Sequence, residues 1–436
     1  MKYYCIGIKG TGMSTLAGML YDMGNEVSGY DDAKDYKFTE KGLEKRGIKI
    51  FYDGNHSIDK DTIVTASRAF SDDHPEIKRI KELGLAFKPY NEVVGNITKE
   101  FDTISVSGTH GKTTTTSLLK HLFENTIGCN YFIGDGTGHI DMKNRLLVIE
   151  SDEFNRHFLA YYPKKAIVTC IELEHTEIYK DIEDTIKTFE EFLNKAETVI
   201  ANGDDLNIRK INFNNKVVFY GEDSANDYII KDIKLETSGS TFTLYKKDEL
   251  IDTFTVPLYG HHMVMNTVAS IIMALDEGVS KEKIKELLPS FKNANRRFQE
   301  TIVGNTIIVD DYAHHPTEVK VTLEAIRQKY PDKKLTVVFR PNTYSRTSRF
   351  KNEFAEALKV ADKVYLTPIK CDRENPKDYP KIKSEDIIEL IPESELVDDD
   401  TVKNILKDKD GVVAFMGCAT MSHLIENFVK ELENIE

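Results

Sequence analysis

The chain contains few cysteines, no long apolar run and no surplus of positive charge, and each absence excludes a class of protein. Its 436 residues include only five cysteines, which are scattered and form no C-x-x-C pair. This pattern indicates free thiols in a reducing compartment rather than a disulfide framework. No apolar run approaches the roughly 18 residues that a membrane-spanning helix needs. The first residues lead into a strand pattern rather than a signal-peptide core, so we expect a cytoplasmic protein without a membrane partner.

The balance of charge excludes a further class. The chain carries 58 Lys and Arg residues against 72 Asp and Glu residues, which gives a net charge of −14. Proteins that bind nucleic acids show a basic face, so we expect no nucleic-acid partner. Anionic small molecules stay open as ligands, because a few Lys and Arg side chains can gather in one cleft. The length allows about three domains of ordinary size.

The most informative motif reads D-T-I-S-V-S-G-T-H-G-K-T-T-T-T-S-L-L. Its apolar alternation predicts a short buried strand over 103–107. Gly108 and Gly111 then allow a tight turn that brings backbone N–H groups close to an anion. Lys112 and Thr113 open a helix whose positive dipole end lies at the same turn. In such a phosphate loop the Lys neutralises phosphate charge and the Thr hydroxyl binds Mg²⁺, although the first glycine of the strict G-x-x-x-x-G-K-[ST] pattern is missing.

A second glycine-rich turn lies near the amino terminus. Strands are predicted over 3–8 and 26–30, with a helix over 15–23 between them. The turn G-I-K-G-T-G-M-S precedes the helix, and the second strand ends at Asp31. An acidic residue about 20 positions after the glycines is typical of Rossmann-like units that bind phosphate or ribose. Thr15 stands at the third glycine of the dinucleotide fingerprint, which argues against a nicotinamide-dependent dehydrogenase.

Carboxylates and a histidine follow two apolar strands in the middle of the chain. The predicted strand over 147–149 ends at Glu150, and the predicted strand over 166–171 is followed by His175. Carboxylates at the carboxyl end of a strand, in a domain with a phosphate loop, are placed to hold Mg²⁺.

Polar clusters recur in the second half of the chain. His262 and Asn266 are four residues apart and share one face of a predicted apolar helix. Arg297 lies where the second and third parts of the chain meet, and D-D-Y-A-H-H-P follows the next strand. The motif Y-S-R-T, which contains Arg346, follows the next strand. We expect Arg346 to lie on a loop and to bind a carboxylate through two parallel hydrogen bonds.

Strands and helices alternate in three successive parts of the chain. This alternation predicts an α/β protein with three domains and mainly parallel sheets, in which ligands bind at the carboxyl ends of the strands. We place the domains at 1–98, 99–293 and 294–436. Helices are predicted at 181–195, 266–278 and 350–361, among other places, and an antiparallel stretch is predicted over 227–256.

Taken together, these motifs resemble those of the Mur ligase family, and their order covers nearly the whole chain. The resemblance rests on G-I-K-G-T-G-M-S at 7–14, G-T-H-G-K-T-T-T at 108–115, V-I-E-S-D-E with Glu150, His175, G-H-H-M-V-M-N ending at Asn266, R-R-F-Q at 296–299, D-D-Y-A-H-H-P-T-E at 310–318 and Y-S-R-T at 344–347. The family implies a Rossmann-like N-terminal domain for a UDP-sugar, a central ATPase domain of the phosphate-loop type, and a Rossmann-like C-terminal domain for an amino acid.

The resemblance also implies an activity. The N-terminal turn and the D-D-Y-A-H-H-P-T-E motif favour the member that adds L-alanine to UDP-N-acetylmuramate through an acyl phosphate, in the synthesis of peptidoglycan precursors. ATP and two Mg²⁺ ions, which Mn²⁺ can replace, are the implied cofactors, and the chain is expected as a monomer or weak homodimer. Two alternatives stay open: a paralogous ligase for a different amino acid or a recycled peptide, and a non-catalytic nucleotide-binding switch.

The resemblance implies roles for individual residues. The implied catalytic residues are Lys112, Glu150, His175, Arg297 and Arg346. The implied nucleotide-binding residues are Gly108, Thr109, His110, Gly111, Lys112, Thr113, Thr114, Asn266, Arg297 and Asp311, and the implied metal ligands are Thr113, Glu150 and His175. The implied substrate-binding residues are Gly10, Thr11, Gly12, Met13, Asp31, Ser67 and His74 for the UDP-sugar, and Tyr312, His314 and Arg346 for alanine. Within these sets, Asn266 would recognise adenine, Asp311 the ribose and Arg297 the γ-phosphate.

Three positions depart from the family pattern. Met263 replaces an Asn beside His262, and a Met side chain cannot supply the hydrogen bonds of an amide. Arg340 and Asn342 replace the Gln and His of the usual F-Q-P-H. We therefore transfer no family role to these three positions.

Overall fold

The computed structural model describes residues 1–371 and 374–434, and the chain forms two compact units. The first unit comprises Met1–Glu172, Ile182–Ile229 and Val268–Leu287. The second comprises Leu173–Asp181, Ile230–Thr267 and the described residues from Leu288 onward. Within the described residues, no helix is both long enough and apolar enough to cross a membrane.

The first unit begins with a five-stranded sheet in which every neighbouring pair is parallel. Its strands are β1 (Lys2–Ile6), β2 (Glu26–Tyr30), β3 (Lys49–Phe51), β4 (Thr62–Ala66) and β5 (Ala86–Phe87), in the order β3-β2-β1-β4-β5. Its helices are α1 (Thr11–Asp22), α2 (Glu40–Lys45), α3 (Pro75–Glu82) and α4 (Tyr90–Thr98). The central strand β1 is covered on both faces, so that Tyr4, Cys5 and Ile6 are fully buried.

A larger sheet in the same unit carries the phosphate-loop motif. Its strands are β6 (Asp102–Ser107), β7 (Asn130–Phe132), β8 (Gly138–His139), β9 (Leu146–Glu150), β10 (Lys165–Val168), β11 (Thr198–Asn202) and β12 (Lys216–Gly221), in the order β8-β7-β9-β6-β10-β11-β12. The helices α5 (Lys112–Glu124) and α6 (Ile182–Leu193) belong to this part of the unit. Strand β6 is parallel to β9 on one side and to β10 on the other, so the carboxyl ends of these three strands lie side by side.

The next elements lead into the second unit. Strand β13 (Tyr228–Glu236) begins in the first unit, where it is parallel to β12, and continues in the second. There β14 (Gly239–Lys246) and β15 (Glu249–Val256) form an antiparallel hairpin. Helix α7 (His261–Asp276) also has residues in both units, and α8 (Lys281–Leu287) belongs to the first.

The second unit contains a six-stranded sheet that is parallel except at one edge. Its strands are β16 (Gln299–Val303), β17 (Thr306–Asp311), β18 (Leu335–Phe339), β19 (Lys363–Leu366), β20 (Glu395–Leu396) and β21 (Gly411–Met416), in the order β16-β17-β21-β18-β19-β20. Its helices are α9 (Pro316–Lys329), α10 (Tyr344–Leu358), α11 (Glu385–Ile388) and α12 (Ser422–Glu433). Among the described residues of this sheet, β16 and β17 pair antiparallel and the other neighbouring strands pair in parallel.

The predicted fold class is confirmed: the chain is an α/β protein of three domains with mainly parallel sheets. The domain limits at 98/99 and 293/294 stay a prediction. The stretch over 227–256 forms an antiparallel hairpin as predicted, but its first strand pairs with β12 in parallel.

One predicted helix boundary is wrong in a way that matters for the site. Helix α10 begins at Tyr344 rather than at 350, because the side chain of Thr343 caps it by accepting a hydrogen bond from the Arg346 N–H at 3.4 Å. The backbone is non-helical at Phe350, where the predicted helix starts. Arg346 therefore lies in the first turn of a helix and not on a loop.

Three phenylalanines pack together in the hydrophobic core of the first unit. The ring of Phe158 stacks on that of Phe192 with centroids 4.3 Å apart and meets the edge of Phe189 at 5.2 Å. All three side chains are fully buried. Phe189 and Phe192 lie three residues apart on the buried face of α6.

We expect Phe192→Ala to lower the free energy of unfolding of the first unit by about 3–5 kcal/mol, because it leaves a cavity beside Phe158. Glu191→Ala, one residue earlier and exposed, is the matched control and should change this quantity by less than about 0.5 kcal/mol. Urea denaturation followed by circular dichroism measures both variants. Equal stability of the two variants would contradict the described packing.

Candidate functional site

The phosphate loop connects β6 to α5 along a path that only glycine allows. Gly108 has a φ of +132°, and a Cβ atom at this position would lie 2.1 Å from Thr169 Oγ1. Gly111 caps α5 with a φ of +82°. The loop also rests on the residues after β10, because the Thr109 N–H donates to the carbonyl of Cys170 at 2.9 Å. The turn therefore has one well-determined backbone path at the carboxyl edge of the sheet.

The ammonium group of Lys112 lies within this loop. It donates to the carbonyl oxygens of Gly108 at 2.6 Å and Thr109 at 3.1 Å, and it forms an ion pair with Glu153 at 2.8 Å. The side chains of Lys112 and Glu153 are only 12% and 3% exposed. The sequence places Glu153 in an acidic turn but gives no indication that it is the partner of Lys112.

Thr113 and Glu150, two predicted metal ligands, are brought together by the parallel register of β6 and β9. The Thr113 hydroxyl donates to Glu150 Oε1 at 2.9 Å, and the Gly134 N–H donates to Glu150 Oε2 at 2.7 Å. Nearby, His110 Nε2 lies 3.3 Å from Glu172 Oε2. Thr114 is buried in the first turn of α5. The hydroxyl oxygen of Thr113 and the carboxylate of Glu150 are hard oxygen ligands, which Mg²⁺ prefers.

The N-terminal glycine turn is shaped by close contacts with the loop after β4 and with the start of α4. A Cβ atom on Gly7 would lie 2.8 Å from both Phe70 and Ser67, and one on Gly12 would lie 2.8 Å from the Tyr90 hydroxyl. The structure starts α1 directly after Gly10. Three predicted UDP-sugar residues therefore lie in the first turn of α1, namely Thr11, Gly12 and Met13.

Asp31 and His74 have internal partners near this turn. The Asp31 carboxylate accepts hydrogen bonds from the N–H groups of Lys9 at 2.9 Å and Ala33 at 3.1 Å. His74 Nε2 lies 3.1 Å from a carboxylate oxygen of Asp32. Because β1 and β4 are in register, the predicted Ser67 lies beside the turn, and its N–H donates to the carbonyl of Ile6 at 2.9 Å.

In the second unit, Glu174 joins two predicted alanine-site residues. Arg346 Nη2 donates to Glu174 Oε1 at 2.9 Å, and His314 Nε2 lies 3.2 Å from the same oxygen. His314 Nδ1 lies 3.1 Å from Glu318, and the Tyr312 ring meets the His314 ring edge-on with centroids 5.3 Å apart. Glu174 is the functional candidate that the sequence prediction missed, although the E-L-E-H-T motif places it next to His175.

Charge in this cluster is balanced within the protein. Burial alone would raise the pKa of Glu174, but the hydrogen bond from His314 and the nearby cations hold it well below its ordinary value. Burial works against the charged form of His314, yet the carboxylates of Glu318 and Glu174 help to raise the pKa of His314 to about 10. The imidazole is therefore a second cation beside Arg346 at neutral pH.

Four further predicted site residues belong to the second unit, namely Asp311, Arg297, His175 and Asn266. The Asp311 carboxylate accepts hydrogen bonds from the Phe298 N–H at 2.7 Å and the Ala313 N–H at 2.8 Å. Arg297 lies over the Tyr312 ring at 5.0 Å. His175 has a left-handed backbone with a φ of 51°, and Asn266 is buried on α7.

Two of the unusual positions have structural partners. Arg340 donates to the carbonyl of Thr420 at 2.7 Å and to the Thr367 hydroxyl at 3.2 Å. Asn342 donates to the carbonyl of Lys370 at 3.0 Å, and its own oxygen accepts from Arg346 Nη1 at 3.4 Å. These residues hold loops at the carboxyl edge of the sheet. Nothing in the structure explains the Met at 263.

Comparison with protein families gives three matches along the chain. The model of the Mur ligase family catalytic domain matches residues 2–102, and that of the Mur ligase middle domain matches residues 106–274. The model described as the Mur ligase glutamate ligase domain matches residues 296–418.

Individual proteins agree with these matches. The chain is 42% identical to UDP-N-acetylmuramate–L-alanine ligase of Ligilactobacillus salivarius, over 99% of this chain and 98% of that protein. The crystal structure of the UDP-N-acetylmuramate–alanine ligase of Thermotoga maritima has the same fold, with a TM-score of 0.81 and 24% identity over all of both chains. The murein peptide ligase of Psychrobacter arcticus shares the fold with a TM-score of 0.73 and 21% identity, over 100% of this chain and 99% of that one. The chain belongs to the Mur ligase family.

Proposed function

We propose that this chain is an ATP-dependent ligase that joins L-alanine to the lactyl carboxylate of UDP-N-acetylmuramate. The observation that carries the chemistry is the phosphate loop, where Lys112 and Thr113 contact the carboxylates of Glu153 and Glu150. The choice of substrates is supported by the relative from Ligilactobacillus salivarius, whose name specifies both of them and which matches nearly the whole chain.

The proposed reaction has two steps. An oxygen of the lactyl carboxylate attacks the γ-phosphorus of ATP, the bond to the bridging oxygen breaks, and ADP leaves an acyl phosphate behind. The amine nitrogen of alanine then attacks the carbonyl carbon of that acyl phosphate. Phosphate departs with the electrons of the C–O bond, and the nitrogen loses a proton to give the amide.

Lys112 would stabilise the charge that develops during phosphoryl transfer. Its ammonium is held at the loop by Glu153 and by two backbone carbonyls. A cation that is fixed before the reaction lowers the barrier more than one that must reorient during it. Glu153 therefore acts in this proposal as a positioning residue for Lys112.

Thr113 and Glu150 fit a magnesium ion. Both offer hard oxygen atoms, which lie 2.9 Å apart at the edge of the loop. A bound magnesium ion would neutralise phosphate charge there. From the family resemblance we also propose that His175 binds a second metal ion. On the same ground we propose that Mn²⁺ can replace Mg²⁺.

Arg346 is the proposed partner of the alanine carboxylate. A guanidinium group can bind a carboxylate through two parallel hydrogen bonds, and this one is oriented by Glu174 and Asn342. His314 adds positive charge to the same cluster, and Tyr312 would form its wall. We also propose Asn266 for adenine, Asp311 for the ribose and Arg297 for the γ-phosphate.

The N-terminal turn is the proposed site for the UDP-sugar. Backbone N–H groups at the start of a helix favour an anion such as the diphosphate. Besides the turn and the first residues of α1, this site would include Asp31, Ser67 and His74. We also propose that the domain limits lie at 98/99 and 293/294. We propose that the protein is a monomer or a weak homodimer.

Phosphate release tests the proposed function directly. We expect release only when ATP, Mg²⁺, UDP-N-acetylmuramate and L-alanine are all present. Lys112→Met should lower kcat at least about 100-fold, because it removes one preorganised charge from the transition state. Release with a recycled tripeptide in place of alanine would instead indicate the peptide ligase, and ATP binding without release would indicate the nucleotide-binding switch.

Lys120→Met is the matched control for that variant. Lys120 lies on the same helix and forms a partly exposed ion pair with Glu124, which contributes little to stability. The kcat of the Lys120→Met variant should stay within about twofold of that of the unmodified enzyme. Near-normal turnover by Lys112→Met would refute the assignment of the phosphate loop.

Arg346→Lys tests the alanine site. This change keeps the charge opposite Glu174 but removes the two-pronged geometry, so we expect the KM for alanine to rise about tenfold or more while the KM for ATP changes little. Arg349→Lys, an exposed position on the same helix, is the control. Steady-state kinetics with each substrate varied in turn makes the measurement. A change in the KM for ATP instead would show that the alanine site lies elsewhere.

The raised pKa of His314 predicts that the free energy of unfolding depends on pH. The folded chain keeps a proton on His314 up to about pH 10, whereas the unfolded chain releases it near the ordinary pKa of about 6.5. The stabilisation is therefore complete below about pH 6.5 and is lost as the pH rises towards 10. Urea denaturation between pH 7 and 10 should show a steeper loss of stability in the unmodified chain than in His314→Gln. Equal slopes would contradict a charged His314.

A further inference from the structure

A buried lysine stands inside the N-terminal glycine turn. Lys9 lies between Gly7 and Gly10, where a basic side chain could reach a bound phosphate. Its side chain is instead fully buried, and the ammonium packs over the Tyr52 ring at 5.2 Å. The ammonium group of Lys9 therefore contacts groups of the protein itself rather than solvent.

Three acceptors surround the ammonium of Lys9. It donates to the carbonyl oxygens of Ala33 and Asp35, each at 2.7 Å, and it forms an ion pair with Glu40 at 2.7 Å. An ammonium group has three protons, and these three contacts use all of them. Burial works against the charge, but the hydrogen bond and charge of Glu40 raise the pKa of Lys9 above its ordinary value.

The backbone of Lys9 contacts the same stretch of chain. Its N–H donates to Asp31 Oδ2 at 2.9 Å, and its carbonyl accepts from the Thr39 hydroxyl at 2.7 Å. We call residues 31–40, which connect β2 to α2, the 31–40 segment. It has no helix or strand before Glu40. Its conformation is held by these contacts with Lys9 and by the hydrogen bond from the Lys37 N–H to Glu40 at 2.7 Å.

The 31–40 segment includes Asp31, a proposed UDP-sugar residue, and lies beside Thr11, another one. A Cβ atom on Gly136 would lie 3.2 Å from the Thr11 methyl group and 3.4 Å from the Phe38 ring. Phe38 is 69% exposed and Tyr36 is 61% exposed. The segment thus presents two aromatic rings to solvent, and the Phe38 ring lies close to the first turn of α1.

We propose that Lys9 is a positioning residue that fixes the 31–40 segment against the glycine turn and so shapes the pocket for the nucleotide-sugar. The inference rests on the proposed function. Without the lysine, the segment occupies its binding arrangement for only part of the time. The apparent affinity falls by that fraction, so an occupancy of one tenth raises the apparent Kd about tenfold. The residues proposed for ATP and alanine lie outside this segment, so we expect their binding to change little.

The test variant removes the ion pair as a whole. Removing one partner of a buried pair leaves an uncompensated charge, whereas replacing both with apolar residues is often neutral for stability. We therefore choose the double variant Lys9→Met with Glu40→Leu. Lys45→Met is the matched control, because Lys45 is an exposed lysine in the same part of the first unit.

Steady-state kinetics should separate positioning from folding. In the double variant we expect the KM for UDP-N-acetylmuramate to rise about tenfold, while kcat and the KM values for ATP and alanine stay within about twofold. Its Tm should stay within about 3 °C of the unmodified protein. Hydrogen exchange should become faster at the amides of 33–37. Lys45→Met should match the unmodified chain in every measurement.

An unchanged KM for UDP-N-acetylmuramate in a folded double variant would overturn the inference. If the double variant does not fold, Thr39→Val decides, because it removes the hydrogen bond from the Thr39 hydroxyl to the Lys9 carbonyl and leaves both charges of the ion pair in place. It should raise the same KM about threefold, and no change would overturn the inference. Failure of the unmodified chain to release phosphate with UDP-N-acetylmuramate would refute the proposed function, which is a separate outcome.

Discussion

The parallel pairing of β6 with β9 and β10 is the constraint on which the phosphate-loop site depends. In this register Val106 lies opposite Glu150, and Ser107 lies opposite Val168. The residues that leave these strands must therefore share one edge of the sheet. Gly108 then passes so close to Thr169 that no side chain fits between them. The loop that follows has little freedom, and it delivers Lys112 to the carboxylates of this edge.

Three basic side chains with little exposed surface each pair with a carboxylate that is also buried. The pairs are Lys112 with Glu153, Arg346 with Glu174, and Lys9 with Glu40. Buried ion pairs add little net stability, because desolvation offsets most of their attraction. Their value lies in orientation: a guanidinium or ammonium group that is already fixed loses less entropy when it binds a carboxylate or phosphate. Lys112 and Arg346 are thus oriented before the proposed substrates bind, whereas Lys9 holds the 31–40 segment in place.

Within the first unit, close backbone contacts join the N-terminal sheet to the larger one. A Cβ atom on Gly138 would lie 2.4 Å from the Thr15 methyl group, and one on Gly95 would lie 2.1 Å from the carbonyl of Ala160. Arg46 also donates to the carbonyl of Gly138 at 3.1 Å. These contacts hold α1, and with it the glycine turn, against the β7–β8 hairpin. The proposed UDP-sugar site is therefore shaped by residues from both sheets.

Local sequence was sufficient to predict the α/β class, the phosphate loop and the strands that end near Asp31 and Glu150, because these features follow from periodicity and from residues close together in the chain. It did not reveal the start of α10, since the cap at Thr343 precedes the apolar pattern of that helix. It also did not reveal the partners of the basic groups. Glu174 is 172 residues from Arg346, and Glu153 is 41 residues from Lys112. Such pairs are decided only when the sheets form, because register and burial, rather than local propensity, determine which charges meet.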